Sequence, residues 1–502
     1  MNSHDLIWGA GMLGLTLFIA AIPSGAQPGA TPEPKDPLGE NASMMAKGSA
    51  VPAKVFPYAI HKKTLANGLD VLIVETPEFK NVLSYNTLVL AGARNELEKG
   101  KTGLAHLFEH ILFRHALNGQ PGGYQDAMER LGAYNNAWTW FDVTFYHPLT
   151  FASNLGGRTV GSERLPGVLD LEASRFVSLS FDEKIFKTET GAVLGEYRNS
   201  SSFPTLKMSE RLLALAFPNH PYGHETIGYY EDVLSMPNHY EAARAFYDTY
   251  YRPNNCVLLI VGDVKADEVY TQVEARYRDW QPKPTPPIPP PAALGGPKRE
   301  AVQWPADVAP RLFLAYGMPR FQTGTAETAV GQMLTELLVS RSAPLYRRLR
   351  FEKQTASDLA FADGTQGFES FDPRLLTFDV QLFKEQYAQK GSAYFDEVIR
   401  DVEEAVENLK HFSREKGSAQ TLATLKSKYR NDFLAAMASP AQIAYNLAWY
   451  YRFDRDPEVF EKLVASVERL GPRDIDAFAQ KYFVPGNQVM VTLTHEKSGA
   501  TP

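Results

Sequence analysis

Seven of the ten residues from Pro282 to Pro291 are prolines. Each proline fixes its own φ near −65° and biases the residue before it away from helix, so this stretch is an extended, semi-rigid connector. It cuts the chain into two large parts, and the two parts end alike. A shift of 232 residues lays Ala245, Phe246, Tyr250, Pro253 and Asn255 onto Ala477, Phe478, Tyr482, Pro485 and Asn487. An apolar run comes next in both copies, carried by Val257 and Leu259 in the first and by Val489 and Val491 in the second. The common order predicts a helix, a turn and a buried strand at the close of each half, and with them a duplicated domain.

Strand-like runs open the first half at Val71 to Val74 and Val82 to Leu90, and a further strand is expected from Asn136 to Tyr146. Helical patterns dominate Leu169 to Phe217. The second half predicts strands at Arg311 to Tyr316 and Leu375 to Leu382, a helix near Val330 to Val339 and a long charged helix from Ser392 to Leu409. Strands and helices mix without regular β-α-β alternation. The expected fold is therefore α+β, with two homologous domains at 57–280 and 302–495, each a mainly antiparallel sheet covered by helices. The Pro-rich connector is placed at 281–301 and a tail at 496–502.

The chain has 502 residues, 44% of them apolar, which is ample material for two cores. Lys and Arg number 51 against 58 Asp and Glu, a net charge of −7 that offers no field to hold a phosphate backbone, so nucleic acid is not an expected partner. A single cysteine, Cys256, excludes an intrachain disulfide and a thiolate-rich metal site. Leu6 to Ile22 is mostly apolar and leads through Pro23 to the small residues Ser24, Gly25 and Ala26, the pattern of an export signal at 1–26, although no Lys or Arg precedes Lys35. The segment 27–56 reads as a flexible lead-in. No second stretch is apolar enough for a membrane span, so the mature chain is expected in the periplasm or secreted.

Chemistry concentrates in His106-Leu107-Phe108-Glu109-His110. On a helix the first, fourth and fifth of these share one face, so two imidazoles one turn apart can grip one Zn²⁺. Glu109 beside them sits where it can take a proton from a water that the ion acidifies. A catalytic zinc takes three protein ligands, so one more is needed. Phe181 to Tyr197 reads as a helix carrying Glu189 and Glu196, seven residues apart and nearly eclipsed on one face. Spacing alone leaves open which of the two binds metal and which orients the site from behind.

The ordered set of motifs resembles the pitrilysin/insulinase family of zinc metallopeptidases with the inverted H-x-x-E-H motif, in its bacterial half-length members similar to mitochondrial processing peptidase. His106-Leu107-Phe108-Glu109-His110 carries the resemblance, with Asn136-Ala137-Trp138-Thr139, Asp142, Thr144 and Tyr146, with Phe181-Asp182, Glu189 and Glu196, with His220-Pro221-Tyr222-Gly223, and with Tyr251-Arg252-Pro253-Asn254-Asn255. It implies one Zn²⁺ per chain on His106, His110 and Glu196, Glu109 as general base and Glu189 behind the ligands. It also implies that Asn136, Ala137, Trp138 and Thr139 form an edge strand that pairs with extended peptide substrates. The expected activity is that of a zinc metalloendopeptidase acting on short or unfolded peptides. A noncatalytic assembly or peptide-binding member is the alternative.

One part of the family pattern is broken. Active members add an arginine and, seven residues later, a tyrosine from the later half; here those positions hold Arg350 and Ser357. A serine hydroxyl lacks the reach of a phenol. The second half also holds just two histidines, His411 and His495, in no metal-binding pattern. The resemblance therefore implies a zinc-bearing subunit paired with a homologous chain that supplies an Arg/Tyr pair, and otherwise a homodimer.

Overall fold

The computed structural model describes residues 54–120, 122–363 and 367–495. The expected signal at 1–26, all but the end of the lead-in at 27–56, and the tail at 496–502 lie outside them. Fourteen strands are described. The first half contributes β1 (Ile60–Thr64), β2 (Asp70–Glu75), β3 (Val82–Val89), β4 (Ala137–Thr139), β5 (Thr144–Tyr146), β6 (Leu149–Phe151), a separate hairpin of β7 (Arg158–Val160) and β8 (Glu163–Leu165), and β9 (Cys256–Gly262). The second half contributes β10 (Lys298–Trp304), β11 (Arg311–Met318), β12 (Asp358–Phe361), β13 (Arg374–Gln381) and β14 (Gln488–His495). β10 begins inside the segment 281–301 read as connector; residues 281–297 carry no regular structure.

The two sheets share one topology. The first runs β1-β2-β9-β3-β5-β4 with β6 on β3, and the second runs β10-β14-β11-β13-β12. In each, the last strand of the half inserts beside an early strand and pairs with it in parallel, β9 on β2 and β14 on β10, while the remaining neighbours are antiparallel. The repeated sequence block lands on equivalent ground. Helices Tyr240–Tyr250 and Pro472–Tyr482 lead through single turns at Pro253–Asn255 and Pro485–Asn487 into β9 and β14. Asn255 Nδ2 donates to Tyr250 O, 2.9 Å, and Leu90 O, 3.2 Å, and Asn487 Nδ2 repeats the pattern with Tyr482 O, 2.9 Å, and Gly317 O, 2.6 Å. Fold class and duplication thus agree with the expectation from sequence.

The halves exchange helices. Pro204–Ala216, from the first half, lies on β10 and β14; Pro440–Asp454, from the second, lies on β3 and β9. Strand alternation explains why both faces of the first sheet accept cover. Val71, Ile73, Tyr85, Leu258 and Ile260 pack on the first half's own helices, while Leu72, Val74, Leu88, Val257 and Leu259 join a core continuous with the second half.

One expected strand is divided. Asn136 to Tyr146 forms an antiparallel hairpin, β4 and β5, with Trp140 to Val143 as its turn. Among these four residues Asp142 is the one turn former, so local turn chemistry marks the reversal only weakly. The turn is closed by Trp140 N donating to Val143 O, 2.8 Å, and gripped from outside where Arg94 N donates to Phe141 O, 2.7 Å.

Candidate metal centre

The histidine helix, Leu104–Phe113, buries Ala105, Leu107, Phe108, Ile111 and Leu112 completely and leaves His106 and His110 partly exposed. Its first residue follows Gly103, whose φ of +88° is left-handed and whose absent Cβ would stand 2.6 Å from Ile227 O. Glycine at this boundary has no side chain to cap the helix. Glu96 replaces it: its carboxylate accepts from Gly103 N and Ala105 N, each 2.7 Å. Burial outweighs these two bonds and pushes the Glu96 carboxyl up to about 8. Sequence reasoning passed over Glu96, because it reaches back over seven and nine residues where a capping box spans three.

The glutamate helix, Glu183–Ser200, starts on Asp182, whose side chain accepts from Ile185 N at 2.7 Å. It packs against the histidine helix. Geometry now separates the two carboxylates that spacing left open. Glu196 Oε2 stands 3.4 Å from His106 Nε2 and its Oε1 3.5 Å from His110 Nε2. Glu189 stands behind them, 3.5 Å from His110 Nδ1, and accepts from Arg114 Nε at 2.8 Å. Burial pulls both imidazoles toward the neutral form. At His106 it prevails, whereas at His110 the Glu189 and Glu196 carboxylates outweigh it and lift the pKa to about 10. Burial likewise opposes the charge on Glu189, but His110 and Arg114 hold that carboxyl below its ordinary value.

The residues fit zinc. One ligand atom each from His106, His110 and Glu196 lie within 4.8 Å of one another, the one such group among the described residues. Tetrahedral zinc with bonds of about 2.0–2.2 Å needs ligand atoms roughly 3.3–3.5 Å apart, and one Glu196 oxygen stands at that spacing from His106 while the other stands at it from His110. Two imidazoles and a carboxylate are also the ligand types of a catalytic zinc site.

Glu109 is buried on the same helix and accepts from Thr139 Oγ1 at 2.8 Å. Thr139, read from sequence as a substrate contact, thus also holds the carboxylate beside the histidines. β4 is the outer strand of its sheet. Asn136 O and Trp140 N point inward to the neighbouring chain, so alternation turns the main-chain groups of Ala137 and Thr139 to the open edge. Asn136 Oδ1 accepts from Ala137 N at 2.9 Å. Trp138 faces the other way and packs on Tyr445 and Trp449 of the exchanged helix. Arg350 is not gathered here. It sits on a π-helical turn, Arg348–Glu352, in the second half and donates to Ala356 O, 3.0 Å, while Ser357 Oγ donates to Gln381 O, 3.1 Å.

Comparison with known proteins agrees with this layout. Residues 72–229 match insulinase (peptidase family M16), and residues 239–416 match the peptidase M16 inactive domain. Over 208 residues the chain is 32% identical to the zinc protease PqqE of Helicobacter pylori, covering 41% of this chain and 44% of that one. Over 222 residues it is 25% identical to the probable mitochondrial-processing peptidase subunit beta of Arabidopsis thaliana, covering 44% and 39%. The match thus spans less than half the length of these curated relatives. Among solved structures, a protease from Helicobacter pylori superposes with a TM-score of 0.75 at 24% identity, covering 87% of this chain and 99% of that one. A peptidase M16 inactive domain from Pseudomonas fluorescens gives 0.71 at 17%, covering 88% and 100%. The chain belongs to the pitrilysin/insulinase family of peptidases.

Proposed function

We propose that this chain is a zinc-dependent endopeptidase that hydrolyses short or unfolded peptides. The observation that carries the reading is the His106, His110 and Glu196 triangle with a buried carboxylate, Glu109, on the same helix face. Zinc, when bound by those three side chains, supplies Lewis acidity at the scissile carbonyl and lowers the pKa of water. Glu109 takes the proton from the attacking water and returns it to the leaving amine. Thr139 fixes the carboxylate for both transfers, and Glu189 with Arg114 behind it fixes the His110 ring. The outward main-chain groups of Ala137 and Thr139 receive an extended peptide by strand addition.

The relatives include beta subunits of mitochondrial-processing peptidase. With Arg350 retained and Ser357 in place of tyrosine, the reading extends to a zinc-bearing subunit that pairs with a homologous chain, the partner supplying an Arg/Tyr pair, and to action outside the cytoplasm after export. Among the described residues no helix is long and apolar enough to cross a membrane. The test of the chemistry is Glu109→Gln, which should keep zinc and lose about 10²- to 10⁴-fold in cleavage rate. Undiminished cleavage would remove Glu109 from the role. The test of the partner is cleavage by this chain alone against a mixture with a homologous chain from the same cell; equal rates would end the heterodimer reading.

A further inference from the structure

We infer that the second half, which holds no metal pattern, sets the position of the substrate strand in the first, and that Asp142 is the positioning residue through which it does so. The inference rests on the peptidase reading proposed for the first half.

Asp142 lies in the turn between β4 and β5, three residues after Thr139, and is 1% exposed. Both of its carboxylate oxygens are committed. Tyr222 OH donates to Oδ1 at 2.5 Å, and the main-chain N–H of Phe371, from the second half, donates to Oδ2 at 2.9 Å. The next residue, Asp372, extends the same seam. Its carboxylate accepts from Arg94 Nε at 2.5 Å, and its N–H donates to Tyr222 OH at 3.4 Å. Arg374 then lays its guanidinium over the Phe141 ring, 3.6 Å from the centroid. One run of the second half, Phe371 to Arg374, therefore holds a turn whose one turn-forming residue is Asp142 itself.

The consequence passes along β4. Thr139 Oγ1 holds Glu109, and the outward groups of Ala137 and Thr139 belong to the same three-residue strand. A strand this short has little ladder of its own to fix its height, so its position depends on the turn. Removing an acceptor from Asp142 leaves a buried N–H or hydroxyl without a partner and frees the turn to shift. Asp142 itself touches neither metal ligand nor base, and its effect on the reaction runs through Thr139.

The experiment compares wild type, Asp142→Asn and Tyr222→Phe as full chains, together with any partner chain that activity requires. Three quantities are read: zinc content, amide hydrogen exchange over residues 137–146, and kcat and KM on a fluorogenic peptide. The expected result is unchanged zinc, exchange over 137–146 faster in both variants, and a loss of about 10- to 100-fold in kcat/KM for Asp142→Asn, most of it in kcat. Tyr222→Phe, which removes one of the two bonds, should move in the same direction by less, and it decides the question if Asp142→Asn does not fold. Unchanged exchange in a folded variant overturns the inference, as does faster exchange with undiminished kcat. A wild-type chain without zinc or chelator-sensitive cleavage would refute the peptidase reading instead, and the exchange measurement alone would then decide whether Asp142 holds the strand.

Discussion

The two halves of this molecule are built on one sheet order and diverge immediately after β3 and its counterpart β11. Beyond β3 the first half places a ten-residue helix with two histidines and a glutamate on one face; beyond β11 the second half places Ala326–Gly331 and a π-helical turn, Thr335–Val339, which carry Glu327 and Glu336 but no histidine. The same frame therefore supports a site or does without one. The second half retains a role as cover: its helix Pro440–Asp454 closes the back of the first sheet, and its run Phe371 to Arg374 grips the hairpin that carries Thr139. A half without the histidine motif still packs on and holds the half that carries it.

Four sets of substitutions probe this difference between the halves. His106→Ala should abolish zinc binding and reduce cleavage to background, because two remaining ligands do not make a catalytic site, whereas His411→Ala in the second half should change neither. Metal analysis beside a peptide assay checks both. Trp449→Ala removes a buried indole that the second half lays against Trp138 and Trp140, and should cost about 3–5 kcal/mol in denaturant unfolding. A loss below about 1 kcal/mol would mean that the exchanged helix is not holding the first sheet.

Glu96→Ala leaves Gly103 N and Ala105 N without their acceptor and should cost about 1–3 kcal/mol, read as a lower melting temperature. The pH dependence has a definite sign. The folded carboxyl stands at about 8 against an ordinary 4.5, so its contribution to stability is full below about 4.5 and is lost as pH rises toward 8. Glu96→Gln should flatten that decline, and an unchanged stability profile would contradict it. The repeated asparagines extend the series down to its smallest effect, at Asn487. Asn255→Ala should cost about 1–3 kcal/mol, and Asn487→Ala, less buried, about 0.5–1.5 kcal/mol, though the two make equivalent bonds. Equal costs or a reversed order would show that burial does not set the difference between the two.

Much of this was legible in the chain because it is local. The i, i+3, i+4 spacing of His106, Glu109 and His110 decides a shared helix face without reference to any other segment, and the proline run and the 232-residue offset announce two related halves. The features that escaped the sequence are tertiary. Glu189 and Glu196 occupy the same face of one helix, so spacing could not choose between them; the family resemblance singled out Glu196, and the packing of the two helices is what brings it to the histidines. The reversal at Trp140 to Val143 carries strong strand formers and is imposed by Arg94 and Phe371 from elsewhere in the chain. The exchange of helices between sheets was equally hidden, since an amphipathic pattern reveals that a face is buried but not what buries it.

If His106, His110 and Glu196 form one catalytic zinc site, as proposed, the metal and the activity must come and go together. Zinc stoichiometry of the purified chain, measured with cleavage of an unstructured peptide before and after chelation and again after zinc is restored, tests this. The expected result is one zinc per chain, loss of both metal and cleavage on chelation, and recovery of both on readdition, with a homologous partner present if cleavage requires it. A folded chain that takes up no zinc, or that cleaves equally well after its zinc has been removed, would contradict it.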